Sequence, residues 1–249
     1  MERAAMTADP STRAYYDDFA RHYDEGRDRG YHRLVDELEA GVVLPLAEGR
    51  QVLEVGCGTG LVLERVAAVA AEARGIDLSP GMLARARARG LVVDEGSATA
   101  LPYADASFDL TYSFKVLAHV PELDRALAEM ARVTRPTGHV VFELYNRRSL
   151  RYLARRLAGS RRIGEGHEEK DIVTRWMTPS EIQAAAPRGT IVESLVGVRI
   201  VTPAAALHRV PIVGGFTRRL ERALSRSPLA RFGGFLVVVA RRDGAAARS

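Results

Sequence analysis

The sequence predicts an α/β fold: a mostly parallel, doubly wound sheet with a helical segment before it and a cap inserted behind it. Short apolar runs alternate with helix-period segments from Gln51 to Tyr145, which calls for right-handed βαβ units. The first apolar run ends in Gly56, Gly58 and Gly60, the second in Asp77, as strands that deliver a loop and an acid to one sheet edge do. The 249 residues, 47% of them hydrophobic, suffice for one sizeable core or a core with a small cap.

Two helices open the chain. Tyr15, Tyr16, Phe19, Ala20 and Tyr23 recur at helical spacing over Thr12–Arg27, and Leu34, Val35, Leu38, Val42 and Val43 do so over Tyr31–Leu46. Pro45 and Gly49 then punctuate the chain. Val52, Leu53 and Val55 form the first strand, and residues 61–71 a helix. Residues 74–77 form the second strand. Ser79-Pro80 opens the next helix as N-cap and first-turn proline, and Gly90 stops it. Residues 91–94, 108–112 and 138–145 supply three more strands, with a helix over 121–133. After Asn146 a basic helix covers 147–157, a polar loop 159–166 and an extended stretch 172–177. Thr178 caps a helix from Pro179 to Ala185. A strand covers 191–201, and 204–224 is a helix broken by Pro211 and Gly214-Gly215. Phe235–Ala240 is the final strand, and the tail 241–249 frays.

The net charge of +5 hides a split. Residues 1–146 carry 16 Lys+Arg against 23 Asp+Glu, while 147–249 carry 20 against 8. The basic part fits an anionic substrate, a nucleic acid or an anionic membrane surface, or solvated arginines alone. The single Cys57 excludes an intrachain disulfide and a multi-cysteine zinc site. No apolar run reaches the roughly 18 residues of a membrane span, and the polar N-terminus resembles no secretory signal, so a cytoplasmic location is expected.

The glycine spacing discriminates between ligands. A dinucleotide loop needs G-x-G-x-x-G, but residue 61 is leucine, so the pattern is G-x-G-x-G behind Glu54. An acid beside the loop suits a ligand with a cationic amino group and no pyrophosphate. Asp77 stands where a carboxylate takes ribose hydroxyls.

These residues carry a resemblance. Val52-Leu53-Glu54-Val55-Gly56-Cys57-Gly58-Thr59-Gly60 resembles motif I of class I S-adenosylmethionine (SAM) dependent methyltransferases, and Gly75-Ile76-Asp77-Leu78-Ser79-Pro80-Gly81-Met82-Leu83 resembles the post-I motif. Leu101–Asp109, Val116–Val120 and Arg132–Gly138 resemble three later landmarks, in order and correctly spaced. The chain is most similar to the group holding ubiquinone and menaquinone methyltransferases and many natural-product methyltransferases. The resemblance implies a Rossmann-like, seven-stranded sheet. It implies divisions at 1–48 (helical cap), 49–146 (SAM-binding core), 147–190 (basic cap over the active site) and 191–249 (final strands).

It also implies site roles. Glu54 and the loop of Gly56, Cys57, Gly58 and Gly60 hold the methionine part of SAM, and Asp77 the ribose, with Leu78 and Met82 against adenine. Ser97 and Ala98 lie at the adenine edge, Ser113 and Phe114 near the sulfonium, and Tyr23 covers the cofactor. Two positions depart from the pattern: Ser97 stands where relatives carry Asp, and Thr137 where they carry Gly. His119 is the best-placed general base, weighed against a packing landmark; His32, His167 and Lys115 rank below it. Arg147, Arg148 and Arg151 are the candidates to grip an anionic acceptor. The segment Leu207–Leu224 mixes apolar residues with arginines and suits a membrane surface.

The expected activity is methyl transfer from SAM, yielding S-adenosylhomocysteine, to an O, N or C atom of a small, anionic or lipid-like acceptor, without a metal. Nucleic acid is disfavoured: the chain has no Asn/Asp-Pro-Pro-Tyr/Phe step, and aromatics are 6%. The alternatives are a SAM-binding regulator or inactive homologue and, behind it, a nucleic-acid methyltransferase.

Overall fold

The computed structural model describes residues 17, 20, 23, 24, 30–158, 162–163, 167–168, 174–202 and 211–244. Most of the first predicted helix, residues 204–210 and the tail 245–249 lie outside these.

Helix α1 spans Gly30–Ala47 and leads to strand β1, Gln51–Val55. Then come α2 (Leu61–Ala67), β2 (Glu72–Asp77), α3 (Pro80–Ala88), β3 (Val92–Glu95) and β4 (Phe108–Ser113). A 3-10 turn, Leu117–His119, precedes α4 (Leu123–Val133) and β5 (Thr134–Asn146). Beyond it lie α5 (Leu150–Ala158), the two-residue strands β6 (Arg162–Ile163), β7 (His167–Glu168) and β8 (Trp176–Met177), and α6 (Pro179–Ala184). Strand β9 (Thr190–Val198), α7 (Pro211–Leu224), a 3-10 turn (Pro228–Phe232) and β10 (Phe235–Arg242) finish the chain.

The main sheet runs β3-β2-β1-β4-β5-β10-β9. All its inner pairings are parallel except those of β10, which is antiparallel to β5 and β9. The predicted seven strands gain an eighth, because β8 pairs with the end of β5 at Tyr145↔Trp176. Strand β4 stops opposite Phe142, so β8 takes over the backbone groups of β5 beyond it. The order reverses between β1 and β4, and a ligand crevice opens outside the strand ends at such a point. The inner strands are apolar because both their faces are covered: β10 is buried from Phe235 to Ala240.

Local chemistry sets several boundaries. Ser79 caps α3 through its Oγ, which accepts from the Met82 N–H at 3.1 Å. Thr178 and Glu181 form a reciprocal capping box on α6. Strand β5 starts four residues earlier than the apolar run predicts, because residues 135–138 bulge between the Phe108↔Thr134 and Leu110↔His139 pairs. Pro136 fits there since it owes no ladder hydrogen bond.

Pro45 lies inside α1, within the predicted helix Tyr31–Leu46; the Gly41 carbonyl that it leaves without a helical donor takes Arg226 Nη2 at 3.5 Å. Two predicted interruptions are corrected. Gly214-Gly215 does not break α7. Burial of Thr217 and Glu221 anchors that helix, and Glu221 accepts from the Ile200 and Val201 N–H groups at 2.7 and 3.0 Å. The predicted loop 159–166 contains β6 and begins the β6–β7 pair. Among the described residues no helix is long and apolar enough to cross a membrane.

Candidate cofactor and acceptor site

At the switch point lies a cavity of about 380 Å³, the size of a small-ligand site. Its floor is the turn after β1. Gly56 and Gly58 adopt φ of 75° and 53°, a region costly for other residues. A Cβ on Gly56 would stand 2.4 Å from the Val116 side chain, whereas Gly58 borders open space. The loop is pinned to β2: Gly56 N–H and Cys57 N–H donate to the Ile76 carbonyl at 2.7 and 3.1 Å.

Asp77 joins the two halves of this wall. Its Oδ2 accepts from Gly58 N–H and its Oδ1 from Ser79 N–H, both at 2.9 Å. Each oxygen keeps a lone-pair direction for a further donor. Burial raises the Asp77 pKa, and the backbone donors oppose that rise. Glu54 is 4% exposed, accepts from Tyr112 Oη at 3.0 Å, and is held well above its usual pKa, first by burial. Leu78, Met82, Ser97, Ala98 and Phe114 complete the walls.

Two acids ahead of α1 are tied across this loop. Asp17 accepts from Ser79 Oγ at 2.5 Å and Gly81 N–H at 3.0 Å, and Asp24 from Thr59 Oγ1 at 2.6 Å. Burial alone would raise the Asp24 pKa; the Thr59 hydroxyl, Arg89 and Arg85 outweigh it and hold it low. Tyr23 lines the cavity beside them.

The other end of the cavity is built from side chains. Lys115, at φ 61° just past β4, donates to Asp36 Oδ1 at 2.7 Å and lies 2.8 Å from Glu39 Oε2. Both acids come from α1, one turn apart, and are buried. Behind them Glu143 of β5 is buried against Glu39. As carboxylates, Glu39 and Glu143 would leave buried oxygens without donors; a proton on Glu143 lets it bond to Glu39. Burial, then the Glu39 charge, pushes the Glu143 pKa well up. His119 Nε2 shares a 3.1 Å hydrogen bond with Tyr145 Oη, and burial raises that phenol to about 12.

Among the sequence-predicted site residues, Tyr23, Glu54, Gly56, Cys57, Gly58, Asp77, Leu78, Met82, Ser97, Ala98, Phe114 and His119 line this one cavity. Five do not. Gly60, φ 84°, is the N-cap of α2, and a Cβ there would strike Leu91 at 2.3 Å; its place is set by packing. Ser113 is fully buried, its side chain turned off the cavity by strand alternation while Phe114 faces it. Arg147 pairs with Glu181 at 3.2 Å, and with Arg148 it lines a separate surface concavity. The Arg151 guanidinium is 4.7, 5.0 and 4.6 Å from the ring centres of Tyr145, Trp176 and Phe235. The Cys57 sulfur packs toward Gly75, and burial pushes its thiol up, away from a nucleophile's range. Ser97 Oγ is engaged locally, 2.8 Å from Thr99 Oγ1, and Thr99 also lines the cavity.

Asp17, Asp24, Asp36, Glu39 and Glu143 escaped sequence reasoning. The available signal was acid within otherwise apolar patterns: Asp36 and Glu39 interrupt the buried stripe of α1, and Glu143 an apolar strand.

Comparison with known proteins agrees with this geometry. A family model described as a methyltransferase domain matches residues 53–142. The demethylmenaquinone methyltransferase of Renibacterium salmoninarum is 40% identical over 152 residues, 57% of this chain and 62% of that protein. The ubiquinone biosynthesis O-methyltransferase of Alkalilimnicola ehrlichii is 39% identical over 113 residues, 43% and 46% of the two chains. This chain thus spans less than two thirds of these curated relatives. A SAM-dependent methyltransferase from Thermotoga maritima, described as a possible histamine N-methyltransferase, superposes with a TM-score of 0.65 at 21% identity over 92% of this chain and 99% of that one. The [4+2]-cyclase SpnF superposes with a TM-score of 0.53 at 26% identity over 85% and 80%. Residues 53–142, from the glycine turn to β5, thus match a methyltransferase domain, and the fold that carries them is similar to that of a SAM-dependent methyltransferase.

Proposed function

We propose that the protein is a SAM-dependent methyltransferase acting on a small-molecule acceptor. The observation that carries this reading is Asp77: a half-buried carboxylate, fixed by the Gly58 and Ser79 N–H groups, with acceptor capacity left over beside an apolar slot. That capacity fits the ribose diol of SAM, and Gly58 leaves room for close approach. Glu54 accepts from the amino group, Leu78, Met82 and Ala98 flank the adenine, and Ser97 and Thr99 face its edge. Tyr23 covers the ligand. When bound, SAM supplies a methyl group already activated on a sulfonium. The protein's task is therefore alignment of the acceptor and removal of any proton it carries. His119, oriented by Tyr145, is the group placed to accept that proton, and Lys115 stabilises a developing oxyanion. The relatives' names favour a quinone-type ring as acceptor, methylated at oxygen or carbon.

A second reading is favoured by the likeness to a [4+2]-cyclase: SAM binding without methyl transfer. Incubation with methyl-labelled SAM and a panel of quinols, phenols, amines and sugars separates the two. Acceptor-dependent release of S-adenosylhomocysteine supports methyl transfer. Calorimetric binding of SAM with no turnover on any acceptor class supports the second reading, and absence of SAM binding removes both.

A further inference from the structure

Helix α5 reads Leu150-Arg151-Tyr152-Leu153-Ala154-Arg155-Arg156-Leu157-Ala158. Leu150, Leu153 and Leu157 recur at spacings of three and four, the signature of a helix that buries one face. Here the face is uncovered: the three leucines are 49%, 54% and 80% exposed. Leu229 and Phe232 of the 3-10 turn, also exposed, border the same concavity as Leu150 and Leu153.

The rim of this patch is cationic. Arg147, Arg148 and Arg156 line the concavity, and the Arg231 guanidinium lies 5.1 Å from the Phe232 ring centre. Among the described residues the carboxylate paired with this group is Glu181, on Arg147. An exposed apolar stripe rimmed by arginines matches one chemistry on both counts, a lipid surface with anionic headgroups over hydrocarbon. A protein partner would have to offer acids and a matching apolar ridge; a bilayer adapts to the shape present.

The patch also lies where a docked surface would matter. Helix α5 leaves the carboxyl end of β5, the edge on which the cavity opens. Arg175 N–H, next to β8, donates to the Ala118 carbonyl of the cavity's 3-10 turn at 2.8 Å. We propose that the α5 leucine stripe and its arginine rim dock the protein on an anionic lipid bilayer, with the cavity edge toward the membrane. This goes beyond the methyl-transfer reading and stands on exposure and charge alone.

Flotation of the full chain with vesicles tests it. Vesicles of phosphatidylglycerol and phosphatidylethanolamine should carry the protein at low salt, and vesicles of phosphatidylcholine alone should not. Arg156→Gln and Arg231→Gln should each weaken binding about fivefold, and high salt should weaken it further. Leu153→Glu with Leu157→Glu should abolish it. Circular dichroism and SAM calorimetry on the same preparations report folding and the donor site separately, so a failed methyltransferase reading remains distinguishable from failed docking. The proposal is overturned by absence of binding to anionic vesicles, by equal binding to both vesicle types, or by binding that the folded variants retain. Self-association through the patch, seen as a mass that falls on Leu157→Glu, also overturns it.

Discussion

The two ends of the cavity are built on different principles. The donor end is mostly backbone: a glycine turn, the N–H groups of Gly58 and Ser79, and two acids, Glu54 and Asp77, all within the segment 54–82. The far end, where we propose the acceptor sits, is side chains from far apart in the chain: Asp36 and Glu39 of α1, Lys115 after β4, Glu143 and Tyr145 of β5, with His119 between them. A backbone site resembles itself across sequences, because only glycine and a few polar residues fit. A side-chain cluster needs only charge balance and is free to vary with the acceptor.

The largest expected effect breaks the acceptor end. Lys115→Met strands the buried acids Asp36 and Glu39 without their cation. Losing one partner of a buried ion pair costs about 3–5 kcal/mol, so thermal unfolding at neutral pH should drop by about 10 °C. A variant as stable as the parent would show that these acids are already neutral.

Asp77→Asn tests the donor end. It removes a charged acceptor and leaves one of the two backbone N–H groups facing an amide NH2, so SAM affinity by calorimetry should fall by roughly tenfold to a hundredfold and stability by about 1–3 kcal/mol. Equal affinity would move the ribose elsewhere.

Glu143→Gln gives a pH signature. The Glu143 pKa is raised in the folded state, so below the unfolded carboxyl pKa both states hold the proton and the variant matches the parent. Above it the parent's unfolded state ionises while its native state resists, and parent stability declines relative to the variant. The gap in melting temperature should therefore widen in the variant's favour from acid to neutral pH. A constant gap would place the shared proton on another acid.

The smallest effect belongs to a position on neither wall. Thr137 holds φ 67° in the β5 bulge. Thr137→Gly should raise stability in denaturant titrations by up to about 1 kcal/mol, and a loss would show that the threonine side chain repays its strain.

Legible in the chain alone are the alternation of strands and helices, the G-x-G-x-G turn, Asp77 and the caps at Ser79 and Thr178. Each is a local event, decided by residues within a few positions of one another. The sequence misleads at Gly214-Gly215, where the buried Glu221 overrides local propensity. It placed Ser113 on the wrong wall by one residue of strand alternation, and it sent Arg147, Arg148 and Arg151 to a cavity that they do not reach. Packing alone brings Lys115 to Asp36 and Glu39, some eighty positions earlier, and leaves the α5 leucines in solvent. The difference is one of range. Backbone geometry is fixed by neighbours in the chain, whereas the balance of buried charge and the covering of an apolar face depend on which segments pack together.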